Sequence, residues 1–167
     1  MPSITQIAGV VEPQRIYNWE VLITRAPAGV SFVDGLKFRA KEVDVPGRDF
    51  DDININYKWM NWKVSGRESE TKEGSMTFWE GIDHAVRDAL MNWAKVVGDW
   101  ATGQQGNKQE VSGEIQVSLM DGKDQPVKTI VFKNVMVNKF DSQTVNYDAS
   151  NTLEYKCSFT YDWFEER

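Results

Sequence analysis

The chain has 167 residues and a mass of 19.1 kDa, a length that predicts one domain. It is 41% hydrophobic and 26% charged, ordinary values for a folded domain that needs no metal or disulfide staple. Its 25 acidic and 19 basic residues leave a formal charge of −6, which argues against a nucleic-acid clamp, because phosphate binding runs on Lys and Arg.

Residues 1–14 carry scattered apolar positions (Ile4, Ile7, Val10, Val11) between Pro2 and Pro13, without a period. They are read as an N-terminal arm that orders on assembly, ahead of a single β domain over 15–167. The opening stretch lacks the basic and apolar regions of a secretory signal. No apolar run approaches the roughly 20 residues that cross a bilayer. A protein assembled inside a cell is expected.

Period-two alternation dominates from Tyr17 onward. Tyr17, Trp19, Val21 and Ile23 share one face, and the turn Ala26-Pro27-Ala28-Gly29 follows. Leu36, Phe38 and Ala40 then alternate with Lys37, Arg39 and Lys41, and the phase jumps at Val43 and Val45, which predicts a bulge. Pro46-Gly47 ends that ladder, and the stretch through Asp52 reads as a polar loop. In 52–66, Ile53, Ile55, Tyr57 and Trp59 share one phase while Met60, Trp62 and Val64 take the other. Such a segment is either a bulged strand or a hairpin folded near Trp59. The charged run 66–74 is expected to turn, and Ser75 to Trp79 forms a short strand.

Ile82, Ala85, Val86, Ala89, Leu90, Trp93, Val96 and Val97 recur at helical spacing, predicting one packed helix over about 82–98. Asp83 and Asp88 suit its N-terminal half, and Gly98 its end. Residues 100–109 read as a loop. Val111, Ile115, Val117 and Leu119 then alternate with Ser112, Glu114, Gln116 and Ser118. Residues 127–137 are nearly continuously apolar, as in a strand covered on both faces. Finally Leu153, Tyr155, Cys157, Phe159, Tyr161 and Trp163 alternate with polar residues. The fold class is mainly antiparallel β, a sandwich or barrel, with one packed α-helix.

Catalytic chemistry has little to stand on. The single Cys rules out an internal disulfide framework, and the single His rules out a multi-histidine metal centre. His84 has no Ser or Cys motif beside it, and Cys157 sits on the apolar phase of its strand. The acids of 49–52 lack the glycine and terminal Glu of an EF-hand loop, and no glycine run is followed by the Lys of a phosphate loop. Lys58-Trp59 and Trp62-Lys63 are a weak match to a nucleic-acid stacking platform. The chain reads as no enzyme, with no cofactor and no metal.

Several strings, in order, resemble the tail tube proteins of contractile-tailed bacteriophages: YNWEVLI from Tyr17, FRAKEVDVPG from Phe38, WMNWKVSGRE from Trp59, the helix with Asn92-Trp93, and LEYKCSFTYDWFE from Leu153. The resemblance spans nearly the whole chain. It implies a structural virion protein whose hexameric rings stack into the hollow inner tube of a contractile tail, a conduit for DNA ejection into the host. The fold is shared with the haemolysin-coregulated protein of type VI secretion and with pyocin-like particles, so a tube subunit of such an injection system is the alternative. The partners implied are further copies of the chain, the tail sheath protein, the baseplate, the tail terminator and the tape-measure protein. DNA would pass without specific binding, no membrane is involved, and the site of action is the virion tail, assembled in the bacterial cytoplasm.

Within that reading, Asn54, Asn56, Ser112, Glu114, Gln116 and Ser118 are the lumen-facing candidates, since an acidic or neutral polar wall leaves DNA free to slide. Lys37, Arg39 and Lys41 do not suit a lumen and are candidates for pairing with a neighbouring subunit or the sheath. Phe50, Trp59, Met60 and Trp62 are the ring-stacking candidates, as exposed aromatics beside polar turns mark interfaces. Two other readings stand beside these: core residues of a bulged strand, and a monomeric β-sandwich binding module whose Trp residues grip a ligand.

Overall fold

The computed structural model describes residues 14–32, 38–69, 72–148 and 150–167. The expected N-terminal arm, apart from Gln14, lies outside the described residues, as do Leu36 and Lys37.

Eleven strands and two helices are described: β1 (Trp19–Arg25), β2 (Ala40–Val43), β3 (Asp49–Tyr57), β4 (Met60–Ser69), β5 (Glu73–Trp79), α1 (Ala85–Val97), β6 (Gly98–Asp99), β7 (Gln104–Gln105), α2 (Lys108–Val111), β8 (Gly113–Met120), β9 (Pro126–Phe140), β10 (Glu154–Thr160) and β11 (Trp163–Glu166). The main sheet runs β1-β8-β9-β10-β5-β2, with β11 also on β9, and its described pairings are all antiparallel. β9 is the pivot. Its first half lies between β8 and β11, while its second half pairs with β10.

Both halves of the curled sheet feed one core. Val21, Ile115, Val117 and Phe132 come from one side, and Met76, Phe78, Cys157 and Phe159 from the other. Phe132 stands edge-on to Phe159 at 5.5 Å and to Tyr161 at 4.9 Å, the geometry that aromatic quadrupoles favour. α1 adds Val86, Leu90 and Trp93 to the same cluster. The Trp93 indole is fully buried and donates its N–H to the Val111 carbonyl at 3.0 Å, so its polar edge is satisfied where water is absent. The facing residue must be Gly113, because a Cβ there would come within 2.7 Å of the Trp93 ring and 2.6 Å of the Arg25 carbonyl.

Sequence periodicity overran several boundaries. α1 starts at Ala85 rather than 82, because His84 takes a left-handed conformation (φ 53°) that breaks the helical path, and Ile82 is left fully exposed. The Glu80 carboxylate caps the helix instead, accepting the N–H groups of Val86 at 3.3 Å and Arg87 at 2.7 Å. The expected loop over 100–109 includes β7 and the start of α2. Residues 49–52, expected as a loop, are the first rungs of β3. The alternating stretch ending at Trp163 is two strands, β10 and β11, interrupted at Tyr161-Asp162. Across from that interruption β9 carries a bulge: two residues, Lys133 and Asn134, oppose Glu114, with Asn134 at φ 54°.

Candidate assembly interface

β3 and β4 form a two-stranded hairpin that pairs with no other described strand. Its two-residue turn is Lys58-Trp59, with Lys58 left-handed at φ 51°. The pairs Ile53↔Val64, Ile55↔Trp62 and Tyr57↔Met60 are cross-strand neighbours, and such neighbours project to the same face. Between them lie Asp52↔Ser65, Asn54↔Lys63 and Asn56↔Asn61 on the opposite face. The two apolar phases in the sequence are therefore one apolar face. An even-length turn inverts the numbering parity from one strand to the next, so the phase shift seen in the sequence marks the hairpin and not a bulged single strand.

The hairpin does have a bulge, nearer its base. Gly66 and Arg67 oppose Asp51, and a Cβ on Gly66 would meet the Asp51 carbonyl at 2.8 Å. At the base, Arg48 reaches Glu68 at 3.6 Å and lies over the Phe164 ring at 5.4 Å, tying the hairpin beside β11. Beyond this anchor it pairs with no other described strand. All six residues of its apolar face are exposed, and Trp59 at the tip is 87% exposed. A two-stranded hairpin is marginal in water by itself, and a contiguous apolar face of this kind marks an interaction surface.

The ring-stacking candidates divide accordingly. Met60 and Trp62 lie on the apolar face, Trp59 is at the tip, and Phe50 is an exposed residue near the base. Ile53, Ile55, Tyr57 and Val64, which are not among the named ring-stacking candidates, share that face. The parity of a two-residue turn was the signal that would have joined all of them.

The lumen candidates occupy two places. Asn54 and Asn56 are on the polar face of the hairpin, where Lys63 and Asp52 form an ion pair at 2.7 Å. Glu114, Gln116 and Ser118 alternate on β8 with the core residues Ile115 and Val117, and Ser118 is itself buried, with Gln116 at 3.4 Å and Thr129 at 3.5 Å from its hydroxyl. Ser112 departs from that face: it precedes β8, is 4% exposed, and accepts a hydrogen bond from Arg25 at 3.1 Å. Glu114 is held between two cations, Lys133 at 3.0 Å and Arg25 at 3.9 Å. The carboxylate expected to repel phosphate is thus largely neutralised within its own chain.

Two of the basic residues reserved for a partner are also satisfied internally. Arg39 makes a two-pronged contact to Asp83 at 2.9 and 2.7 Å, which raises its own pKa and lowers that of Asp83. Lys41 reaches both oxygens of Glu154, at 2.7 and 2.8 Å. Among the described residues, no group of His, Cys, Asp and Glu side chains gathers as a metal site. No described helix is long and apolar enough to cross a membrane.

This curled antiparallel sheet with its packed helix is the fold of contractile-injection tube and terminator proteins, shared with type VI secretion. The chain is similar to one from the PVC sheath/tube terminator of an extracellular contractile injection system, in the extended state: TM-score 0.68, 13% identity, 95% of this chain and 99% of the other covered. A chain of the PVC sheath-tube complex in the extended state gives a TM-score of 0.64 at 16% identity, over 100% and 99% of the two chains. A type six secretion system protein gives 0.52 at 11% identity, over 89% and 81%. No family model matches the chain, and no curated protein matches it by sequence.

Proposed function

We propose that this chain is a structural subunit of the inner tube of a contractile tail, assembling with copies of itself into stacked hexameric rings. The observation that carries the reading is the hairpin, whose apolar face is uncovered in the single chain. Burying it against further copies removes that face from water and covers strand edges that would otherwise be free. The likeness of fold to PVC tube and terminator chains supports the same reading.

In the assembled tube, Asn54, Asn56, Glu114, Gln116 and Ser118 face the lumen, while Phe50, Trp59, Met60 and Trp62 join neighbouring rings. Ser112 serves instead to place Arg25. Sheath, baseplate, terminator and tape-measure proteins are the remaining partners. Genome DNA of a bacteriophage is the passenger in the first reading, and the location is the virion tail. The second reading is a tube of a particle such as PVC, favoured by the fold likeness; there the lumen serves an injection particle.

Electron microscopy of the purified protein tests the assembly. Rings or tubes with a central channel are expected, and a stable monomer at high concentration refutes it. Particles purified from the producing cell separate the two readings: DNA-filled heads on the tails mark a phage, and headless tails mark an injection particle.

A further inference from the structure

The edge strand β2 is fastened to the main sheet by carboxylates. It has four residues, pairs with β5 alone among the described strands, and shifts register between Ala40 and Glu42. Its Ala40 and Val43 are partly buried against the core, while Lys41 and Glu42 are exposed. A strand paired on one side with so little apolar burial lies at the low-stability end of a fold. Among the described residues, each side-chain hydrogen bond or ion pair from 39–44 to the rest of the chain has a carboxylate on one side. Arg39 meets Asp83 in its two-pronged contact, and Lys41 meets Glu154. The Glu42 carboxylate accepts the Thr77 hydroxyl at 3.4 Å, and Asp44 accepts both the N–H and the hydroxyl of Ser75, at 2.7 and 2.8 Å. Gly81 leaves room for the first of these, since a Cβ there would come within 2.5 Å of the Asp83 carboxylate and 3.0 Å of the Arg39 guanidinium.

We propose that β2 is an acid-operated latch: it stays docked while these four carboxylates are ionised and leaves β5 when they are protonated, with the rest of the sheet still folded. Hydrogen bonds with an ionised partner are about twice as strong as neutral ones, so protonation weakens all four fastenings together. Arg39 and Lys41 lose the opposite charge, and Ser75 and Thr77 keep only a weaker acceptor. The Arg39 contact holds the Asp83 pKa below its usual value. Its stabilisation is therefore full above the unfolded value of about 4 and is lost as pH falls through the lower, folded one. The other charged groups around the four carboxylates are Glu80 and His84 at the corner with Asp83, Arg87 of α1 over the Tyr155 ring, Glu73 of β5, Lys156 of β10 beside Thr77, and Arg15, which lines one cavity with Lys41 and Glu42. Glu80 accepts the N–H groups of α1 and stands 3.9 Å from Arg39, so the hydrogen bonds of Arg39 go to Asp83. β9 and β10 are paired on both sides and carry the core residues Phe132 and Phe159, so they outlast β2. Release of β2 bares the edge of β5. It also slackens the root of the hairpin, because β2 runs through Pro46-Gly47 into β3. The latch belongs to the single chain and does not depend on the tube reading.

Hydrogen exchange of the full-length chain tests the latch, read by mass spectrometry from pH 7 to pH 3 and corrected for the intrinsic effect of pH. Free subunits at low concentration keep any disassembly out of the measurement. Peptides covering 38–46 should exchange at least about tenfold faster at pH 3 than at pH 7, while those covering 130–137 and 155–159 keep their protection. Loss of protection in all three together, or no change in 38–46, overturns the proposal. Asp44→Asn with Asp83→Asn and Glu154→Gln should show the fast exchange of 38–46 already at pH 7, with little further change in acid. A native pH profile in that folded triple variant overturns the latch. Where the triple variant does not fold, Asp83→Asn and Glu154→Gln made singly decide: each should flatten part of the profile of 38–46, and a native profile in both overturns the proposal.

Discussion

Asn134 donates its side-chain amide to the Asp162 carboxylate at 2.8 Å, joining the bulge of β9 to the break between β10 and β11. Lys108 of α2 reaches the other Asp162 oxygen at 2.7 Å. One carboxylate therefore fastens the point where the sheet turns from one half to the other. The Lys108 contact, followed by that of Asn134, holds the Asp162 pKa below its usual value. A depressed carboxylate stabilises the fold above its unfolded pKa of about 4, and that contribution is lost as pH falls through the lower, folded value. Asp162→Asn should lower Tm at pH 7 and narrow the gap to the native protein as acid is added, read by calorimetry across pH 2–7. Asn134→Gly should be tolerated better than Asn134→Val, since φ is positive there.

Trp59→Ala with Trp62→Ala should leave the subunit folded and abolish polymerisation. Neither indole belongs to the core cluster, so thermal stability of the single chain should move by no more than about 0.5 kcal/mol for each substitution. Sedimentation velocity reads the assembly and circular dichroism reads the fold. Normal tubes from this variant would remove the hairpin from the interface.

Trp93→Ala should be among the costliest single changes, at about 3–5 kcal/mol for a buried aromatic, together with an unsatisfied Val111 carbonyl. Gly113→Ala should destabilise through overpacking by about 1–3 kcal/mol, as its methyl would meet the Trp93 ring. Denaturant midpoints at constant m-value give both.

Cys157 should be inert. Burial pushes its thiol up to about 12, and thiolate is the reactive form. A coloured thiol reagent at pH 8 should label it only as fast as the protein unfolds; rapid stoichiometric labelling of native protein would contradict its placement.

Glu114→Lys would put a third cation beside Lys133 and Arg25. Within the tube reading, assembly should persist while passage of DNA slows, since unpaired cations offer phosphate contacts. Glu114→Gln, which frees the two native cations without adding one, should show the same defect more weakly. Ejection rates from intact particles decide, and unchanged ejection from both variants would take this face out of the lumen.

Alternation and helical spacing alone laid out most of the elements, because a residue's side of a strand or helix depends only on its position along that element. The apolar set from Tyr155 to Phe159 and the stripe through Val86, Leu90 and Trp93 were legible for that reason. The same local rule cannot register a turn of the path, so the alternation running through Tyr161-Asp162 hid a break that β9 imposes from 28 residues away. Nor can it supply partners distant in the chain. Lys41 was free in the sequence and meets Glu154 in the fold, 113 residues on, while Glu114 lost its unpaired charge to Lys133. Period two divides the hairpin into polar and apolar faces; which face stays uncovered depends on what the rest of the molecule brings against it. Here the described residues outside the hairpin leave its apolar side exposed, and only the tertiary structure decided that.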